Sequence, residues 1–274
     1  MQFPAIAADR RLAYGPGGER FGDLYLPRRA VPHYVTGLHP VAIVLHGGCW
    51  QARYGLAPLG RLCAALAAEG LAVWNVEYRR LDNGGGWPLT FMDVAAAADA
   101  LRRMAPVYHL DLARVISIGH SAGGHLALWL AGRHHLPASS LLYSAAPLPL
   151  CGVLSLAGVP DLAAALKEGL CGDAAAKLAG GLPSEVPAHY QQASPIEMLP
   201  LGVRQWHIIG RDDDTVHVDY LQRYAAVAAQ HDPVQLDILP DAGHFEVVDP
   251  RAPAWAAVRD AALALVNPQQ PGQG

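Results

Sequence analysis

Residues 115–128 carry a strand pattern, a sharp turn and a helix pattern in immediate succession. The apolar, β-branched run at 115–118 leads into Gly119, Ser121 and Gly123, which form a Gly-x-Ser-x-Gly arrangement. A strand that reverses into a helix within one residue crowds the positions two before and two after the turn, so glycine fits there. The pattern therefore predicts that Ser121 is held strained and exposed between a strand and a helix.

Apolar runs alternate with helical patterns along the rest of the chain. Continuous apolar runs are typical of strands covered on both faces, and alternation with helices favours a mainly parallel sheet between two helical layers. We therefore predict an α/β fold, with one domain over residues 1–266 and a small cap or lid excursion. The strands are expected at 23–27, 41–45, 71–76, 114–118, 152–156, 205–209 and 235–239, and the helices at 56–69, 91–104, 122–133, 218–230 and 253–266.

Two stretches interrupt this alternation, and both ends of the chain fall outside it. Residues 134–150 are rich in Pro, Ser and Ala, and residues 161–200 contain short helical pieces with many Gly and Pro. Connections of such length are usually functional, so we expect both stretches to cover the site and to set the size of the acyl group. Residues 1–20 are expected to be irregular, and residues 267–274 to be a disordered tail.

Charge and hydropathy exclude several classes of partner. The 274 residues carry a formal net charge of −4 without a cluster of Lys and Arg, which argues against nucleic-acid binding. No apolar run reaches the roughly 18 residues that a membrane span needs.

The start of the sequence bears on location. Met1 is not followed by a basic segment and then a long apolar segment, so we expect a cytoplasmic protein. Secretion of a chain whose signal peptide has already been removed is left open. A homodimer is also left open.

The cysteines show no spacing typical of metal ligands. Cys49, Cys63, Cys151 and Cys171 are scattered, and in a chain of this length they are expected to be free thiols. A bond between Cys151 and Cys171 is the alternative for an exported protein. The adjacent His134 and His135 also lack convergent ligand spacing, so we predict neither a metal nor a cofactor.

Candidate partners for Ser121 follow two later strands. A serine hydroxyl needs a base to take its proton and a third group to orient that base. Three aspartates at 212–214 follow the strand at 205–209, and His244 follows the strand at 235–239. Functional groups of open α/β sheets gather at the carboxyl ends of strands, so these side chains are expected to meet. The order Ser, Asp, His is that of the α/β-hydrolase fold.

Five motifs over roughly residues 40–250 resemble α/β hydrolases of the esterase/lipase group. The resemblance is to the branch with a His-Gly-Gly-x-Trp motif, which includes hormone-sensitive-lipase-like carboxylesterases and arylformamidases, the kynurenine formamidases. It implies hydrolysis of a carboxylic ester or a related acyl bond. The matching motifs are His46-Gly47-Gly48-Cys49-Trp50, Asn75-Val76-Glu77-Tyr78-Arg79, the run 119–124, the run 210–216 and Ala242-Gly243-His244.

The same resemblance implies roles for the triad residues. Ser121 corresponds to the nucleophile and His244 to the general base and acid. The family spacing Gly-x-x-Asp-x-x-Val, counted from Gly210, points to Asp213 as the triad acid. His217 stands where many relatives have proline, so Asp212 and Asp214 remain alternatives.

Backbone amides are expected to hold the developing negative oxygen. Ala122 directly follows the nucleophile, and Gly48 and Cys49 lie in the loop after the strand at 41–45. We expect these three residues to form the oxyanion hole. Trp50 and Trp87 are candidates for a pocket wall, although an aromatic residue in a loop is as often simple packing.

Three histidines near these loops are assigned other roles. We expect His46 to orient the oxyanion loop, and His120 and His125 to be buried residues that bond to backbone groups.

The sequence thus predicts a cofactor-independent serine hydrolase that cleaves carboxylic esters of small to medium, uncharged substrates. An arylformamidase-like amide hydrolase would use the same triad, so it remains an alternative. A binding protein that kept the fold and lost the chemistry is a third reading, but such proteins usually lack a triad member.

Overall fold

The computed structural model describes residues 6–28 and 37–267, and their eight strands form one sheet. The strand order is β1-β2-β4-β3-β5-β6-β7-β8. The pairs β1–β2 and β2–β4 are antiparallel and the other pairs are parallel. The strands are β1 Arg10–Ala13, β2 Phe21–Tyr25, β3 His39–Leu45, β4 Ala72–Val76, β5 Leu110–His120, β6 Gly152–Leu156, β7 Arg204–Gly210 and β8 Val234–Leu239.

Helices separate most of the parallel strands, which confirms the predicted α/β class. Helix α4 is buried along its whole length, because its apolar residues surround the helix axis. In the described ranges the α-helices are α1 Gly60–Ala68, α2 Leu89–Asp99, α3 Leu101–Tyr108, α4 Ala122–Gly132, α5 Leu162–Lys167, α6 Ala174–Ala179, α7 Pro187–Ala193, α8 Val218–Ala228 and α9 Trp255–Val266. None of the helices in this part of the chain is long and apolar enough to cross a membrane.

Two local predictions are wrong. Strand β1 lies in the stretch that was expected to be irregular, because its Arg-Arg-Leu-Ala sequence is largely exposed at the sheet edge and shows no alternating pattern. The single helix expected at 91–104 is two helices, α2 and α3, which meet at Ala100. Apolar residues continue through Ala100, so periodicity alone does not mark the break. Most of the predicted tail, residues 268–274, lies outside the described residues.

The excursion at 134–150 does not lie over the carboxyl ends of the strands. Helix α4 starts at that edge and runs back along the sheet, so the chain that follows it arrives at the amino ends. There, Leu148 and Leu150 line a small surface cavity together with Leu201 and Val203, which directly precede β7. The prediction that 134–150 covers the site is therefore wrong. The segment 161–200, by contrast, follows the carboxyl end of β6 and carries α5, α6 and α7.

Candidate active site

Ser121 alone makes the turn between β5 and α4. Its φ of 54° and ψ of −122° lie outside the helix and strand regions, and its N–H donates to the Leu156 carbonyl at 2.9 Å. A Cβ on Gly119 would lie 2.0 Å from the Gly123 carbonyl oxygen. A Cβ on Gly123 would lie 2.1 Å from the Leu45 carbonyl oxygen. The backbone approaches so closely on both sides of Ser121 that only glycine fits at these two positions.

The loops after β7 and β8 bring Asp213 and His244 together. His244 Nδ1 donates to Asp213 Oδ2 over 2.8 Å, and both side chains are buried. Asp213 Oδ1 accepts the N–H groups of Thr215 at 2.9 Å and Val216 at 2.8 Å. Burial by itself would raise the pKa of Asp213, but the hydrogen bond and charge of His244 and the two N–H groups hold that pKa below its ordinary value. The carboxylate therefore stays charged and fixes the orientation of the imidazole.

Asp213 is the aspartate of its loop that contacts His244. Asp212 and Asp214 are exposed, whereas the Asp213 side chain is buried. His217, at the proline position of many relatives, has a φ of −75°, which is within the range that a proline ring imposes. The backbone at this position therefore has the φ that proline would give it.

Ser121 and His244 line the same cavity, which has a volume of about 300 Å³. Among the described residues no hydrogen bond joins the Ser121 hydroxyl to the His244 ring. Catalytic hydrogen bonds are often long before substrate binds and tighten in the complex, so this geometry is compatible with proton transfer.

The three amides expected to hold an oxyanion are free within the described part of the chain. Neither Gly48 N–H, Cys49 N–H nor Ala122 N–H has an acceptor there. Ala122 is the first residue of α4, and N–H groups in the first turn of a helix have no acceptor within that helix. Gly48 and Cys49 line the cavity and have φ values of +109° and +52°. Their amides are thus available to a negative oxygen.

A buried carboxylate supports the loop that carries Gly48. Glu77 Oε1 accepts a hydrogen bond from His46 Nε2 at 2.8 Å and forms an ion pair with Arg80 Nη1 at 2.9 Å. Burial alone would raise the pKa of Glu77, but His46 and Arg80 hold it below its ordinary value. His46 thereby anchors the loop through Glu77, a contact that the motif at 75–79 does not reveal by itself.

His120 and His125 are buried neutral rings. Burial and the nearby His244 ring lower the pKa of His120 to about 3, and burial lowers that of His125 to about 4. His120 Nε2 donates to the His244 carbonyl, and His125 Nε2 donates to the Ala193 carbonyl, each at 2.8 Å. Their ring protons are thus used to hold the backbone.

Cys63 and Cys151 are free thiols, as predicted, but the prediction is wrong for the other two cysteines. Cys49 and Cys171 form a disulfide with Cα atoms 5.6 Å apart, so the alternative Cys151–Cys171 bond is also wrong. The bond joins residues 122 positions apart in the sequence, a pairing that no local spacing reveals. Cys171 lies between α5 and α6, so the disulfide attaches the segment 161–200 to the loop that carries Gly48 and Cys49.

We expect the Cys171→Ser variant to lose about 2–4 kcal/mol of unfolding free energy, because the disulfide closes a long loop of the unfolded chain. Urea unfolding with and without dithiothreitol measures the change. The Cys151→Ser variant is the control, because Cys151 forms no disulfide. A wild-type transition that dithiothreitol does not shift would contradict this expectation.

Trp50 and Trp87, the candidates for a pocket wall, are not among the residues that line this cavity. Trp50 is 1% exposed and packs edge-on against the His125 ring. Trp87 is half-buried and stacks on His189 of α7 at 4.4 Å. The cavity is lined instead by the aromatic side chains of Tyr54 and Phe245, which no sequence motif marks. Over the described ranges, no three His, Cys, Asp or Glu side chains are grouped closely enough to hold a metal ion.

A comparison with protein-family models finds a match to the one described as BD-FAE over residues 23–223, well over half of the chain. No curated protein matches the sequence.

Solved structures of bacterial esterases share the fold. Esterase B from Lactobacillus rhamnosis has a TM-score of 0.78 and 22% identity, with 96% of this chain and 88% of that chain covered. A truncated carbohydrate esterase from gut microbiota has a TM-score of 0.77 and 20% identity, with 96% and 97% covered. Propionate-bound esterase Est2 from Thermogutta terrifontis has a TM-score of 0.73 and 19% identity, with 97% and 96% covered. At such identities the similarity establishes a common fold.

Proposed function

The chain belongs to the BD-FAE family, and from this premise we propose that it is a serine hydrolase that cleaves carboxylic esters. The observation that carries the proposal is the Asp213–His244 hydrogen bond at the cavity that Ser121 also lines. The structural neighbours add support, because Lactobacillus rhamnosis esterase B has been solved with a tributyrin phosphonate inhibitor and Thermogutta terrifontis esterase 2 as its tabun adduct.

The reaction proceeds through an acyl-enzyme. His244 Nε2 takes the hydroxyl proton as Ser121 Oγ attacks the ester carbonyl carbon. The N–H groups of Gly48, Cys49 and Ala122 bind the oxyanion of the tetrahedral intermediate. When the intermediate collapses, His244 gives the proton to the departing alcohol oxygen. A water molecule then loses a proton to His244 and attacks the acyl carbon, which releases the carboxylic acid and restores the Ser121 hydroxyl.

The cavity favours uncharged substrates of small to medium size. Its volume is about 300 Å³, and its lining includes no carboxylate, lysine or arginine side chain. An anionic substrate would find no ion-pair partner among these residues and would lose its hydration on entry. Pro58, Leu59 and Val248 provide apolar surface instead.

The disulfide also bears on where the protein works. Disulfides persist in oxidising compartments and are rare in the cytosol. We therefore infer from the Cys49–Cys171 bond that the protein acts in an oxidising compartment, in place of the cytoplasmic location expected from the sequence. Light scattering on the purified protein tests for the homodimer that the sequence leaves open.

Inactivation by an alkyl phosphonate and turnover of p-nitrophenyl butyrate test the proposed function. We expect the phosphonate to label the peptide that contains Ser121 in a 1:1 ratio, with turnover lost in proportion. N-formylkynurenine is assayed in parallel, and a large preference for it would replace the ester assignment by a formamidase. Protein that is neither labelled nor active on any acyl substrate would instead fit a binding protein that kept the fold.

A further inference from the structure

Phe245 is a large apolar side chain left in contact with solvent directly beside the proposed base. It is 52% exposed and lines the Ser121 cavity. Its ring lies 5.1 Å from the His244 ring in an edge-on arrangement and 5.7 Å from the His120 ring. The hydrogen bond from His120 Nε2 to the His244 carbonyl fixes the backbone just before Phe245. The ring is therefore held at a defined place on the cavity wall.

The chemistry of the reaction determines which part of the ester meets this wall. His244 must return its proton to the alcohol oxygen, so that oxygen comes within about 3 Å of the imidazole Nε2. The carbonyl oxygen points instead to the amides of Gly48 and Cys49. The group attached to the alcohol oxygen is consequently the part of the substrate that lies beside His244 and reaches Phe245.

The cavity wall beside Phe245 is uncharged. Val248, whose N–H donates to the Phe245 carbonyl, and Thr215, whose N–H donates to the Asp213 carboxylate, line it without an ionised group. The Glu246 carboxylate, next in sequence, accepts the Gly243 N–H at 3.0 Å and so is engaged by the backbone of its own loop. An alcohol group at this wall would meet an aromatic face and apolar surface.

We propose that Phe245, with Val248, forms a subsite for the alcohol group of the substrate, and that the enzyme acts on esters of apolar or aromatic alcohols. The proposal rests on the proposed function and deepens it. Single exposed apolar residues are ordinary, as Leu141 and Tyr143 show on this chain. Phe245 differs from them because its ring lies on the cavity wall next to the group that protonates the alcohol.

The decisive experiment uses the variant Phe245→Ala on two butyrate esters, benzyl butyrate and ethyl butyrate. Both esters give the same butyryl-enzyme, and their alcohols have similar acidity, so a difference in kcat/KM reports binding of the alcohol during acylation. We expect Phe245→Ala to lower kcat/KM for benzyl butyrate about 10- to 30-fold, because the benzyl group then loses an apolar contact comparable to that of a few methylene groups. The same variant should change kcat/KM for ethyl butyrate less than about threefold. The Phe245→Tyr variant should restore the preference for the benzyl ester.

Two further measurements separate a specificity role from a structural one. Tyr143→Ala removes an exposed aromatic side chain outside the cavity, and it should leave both rates unchanged. The ratio of rates for ethyl butyrate and ethyl acetate should be the same in wild type and Phe245→Ala, because the acyl group lies elsewhere. An equal loss for benzyl and ethyl esters would overturn the inference, since Phe245 would then only position His244. Wild-type protein that hydrolyses no ester would remove the proposed function and the subsite together.

Discussion

Replacing Ser121 by alanine is expected to lower kcat for ester hydrolysis by a factor on the order of 10⁵–10⁶. The neighbours of Ser121 at the turn are His120 and Ala122, so no other hydroxyl is present on the elbow to take over the attack. The amides of Gly48, Cys49 and Ala122 remain, and we expect them to give a residual rate above that of water. Alanine has the smaller side chain, and the positive φ is no harder for it than for serine, so the fold should persist.

The matched control for this variant is Ser155→Ala. Ser155 is a buried serine on the adjacent strand β6, and its Oγ has no hydrogen-bond partner among the described residues. Its loss should change kcat less than about twofold. Steady-state kinetics on p-nitrophenyl butyrate and phosphonate labelling, followed by mass spectrometry, measure both variants. A Ser121→Ala protein that keeps a hundredth of the wild-type rate or still takes up the label would place the nucleophile elsewhere.

Local sequence patterns were sufficient to predict the features of the site that depend on residues close together in the chain. The strand before Ser121 and the close approach of Gly119 to the Gly123 carbonyl follow from steric rules over nine residues or fewer. The same holds for Asp213, whose carboxylate accepts N–H groups from Thr215 and Val216, within three positions of it. These contacts join residues that are close together in the sequence, so a sequence motif can predict them.

Other features depend on which distant segments meet, and no local pattern reports that. Cys49 and Cys171 pair only because the segment after β6 returns to the loop after β3. Trp50 sits inside a matching motif, yet its ring is buried against His125 and takes no part in the cavity wall. Phe245 follows the proposed base directly, but its exposure is a property of the assembled surface. The general chemistry of the site was therefore predictable, while the shape that selects a substrate was not.

Asp213→Asn should lower kcat by about 10⁴ while leaving the loop in place. The amide can still accept the N–H groups of Thr215 and Val216 through its oxygen, as Asp213 Oδ1 does. Its NH₂ group then faces His244 Nδ1 where a carboxylate oxygen accepted. The imidazole must turn its lone pair to that NH₂ and carry its proton on Nε2, so it can no longer accept the proton of Ser121.

The pH dependence of stability follows from the pKa of Asp213, which is lower in the folded protein than its ordinary value. A depressed acid pKa stabilises the fold at pH values above the ordinary pKa, and that stability is lost as the pH falls through the folded pKa. Mild acidification toward pH 5 therefore leaves Asp213 charged and keeps its contribution to the stability of the fold.

The exposed residues Asp212 and Asp214 flank Asp213 and are matched controls, because each carries the same carboxylate group in the same loop. Asp212→Asn and Asp214→Asn each remove one charge from the same loop, but neither carboxylate contacts His244. Each should retain kcat within about twofold, since exposed charges are strongly screened by solvent. If Asp214→Asn lost activity and Asp213→Asn kept it, the triad acid would be Asp214 and the loop would have to rearrange when substrate binds. Equal small losses in all three variants would mean that His244 works without an orienting carboxylate, and the proposed mechanism would then lack its third member.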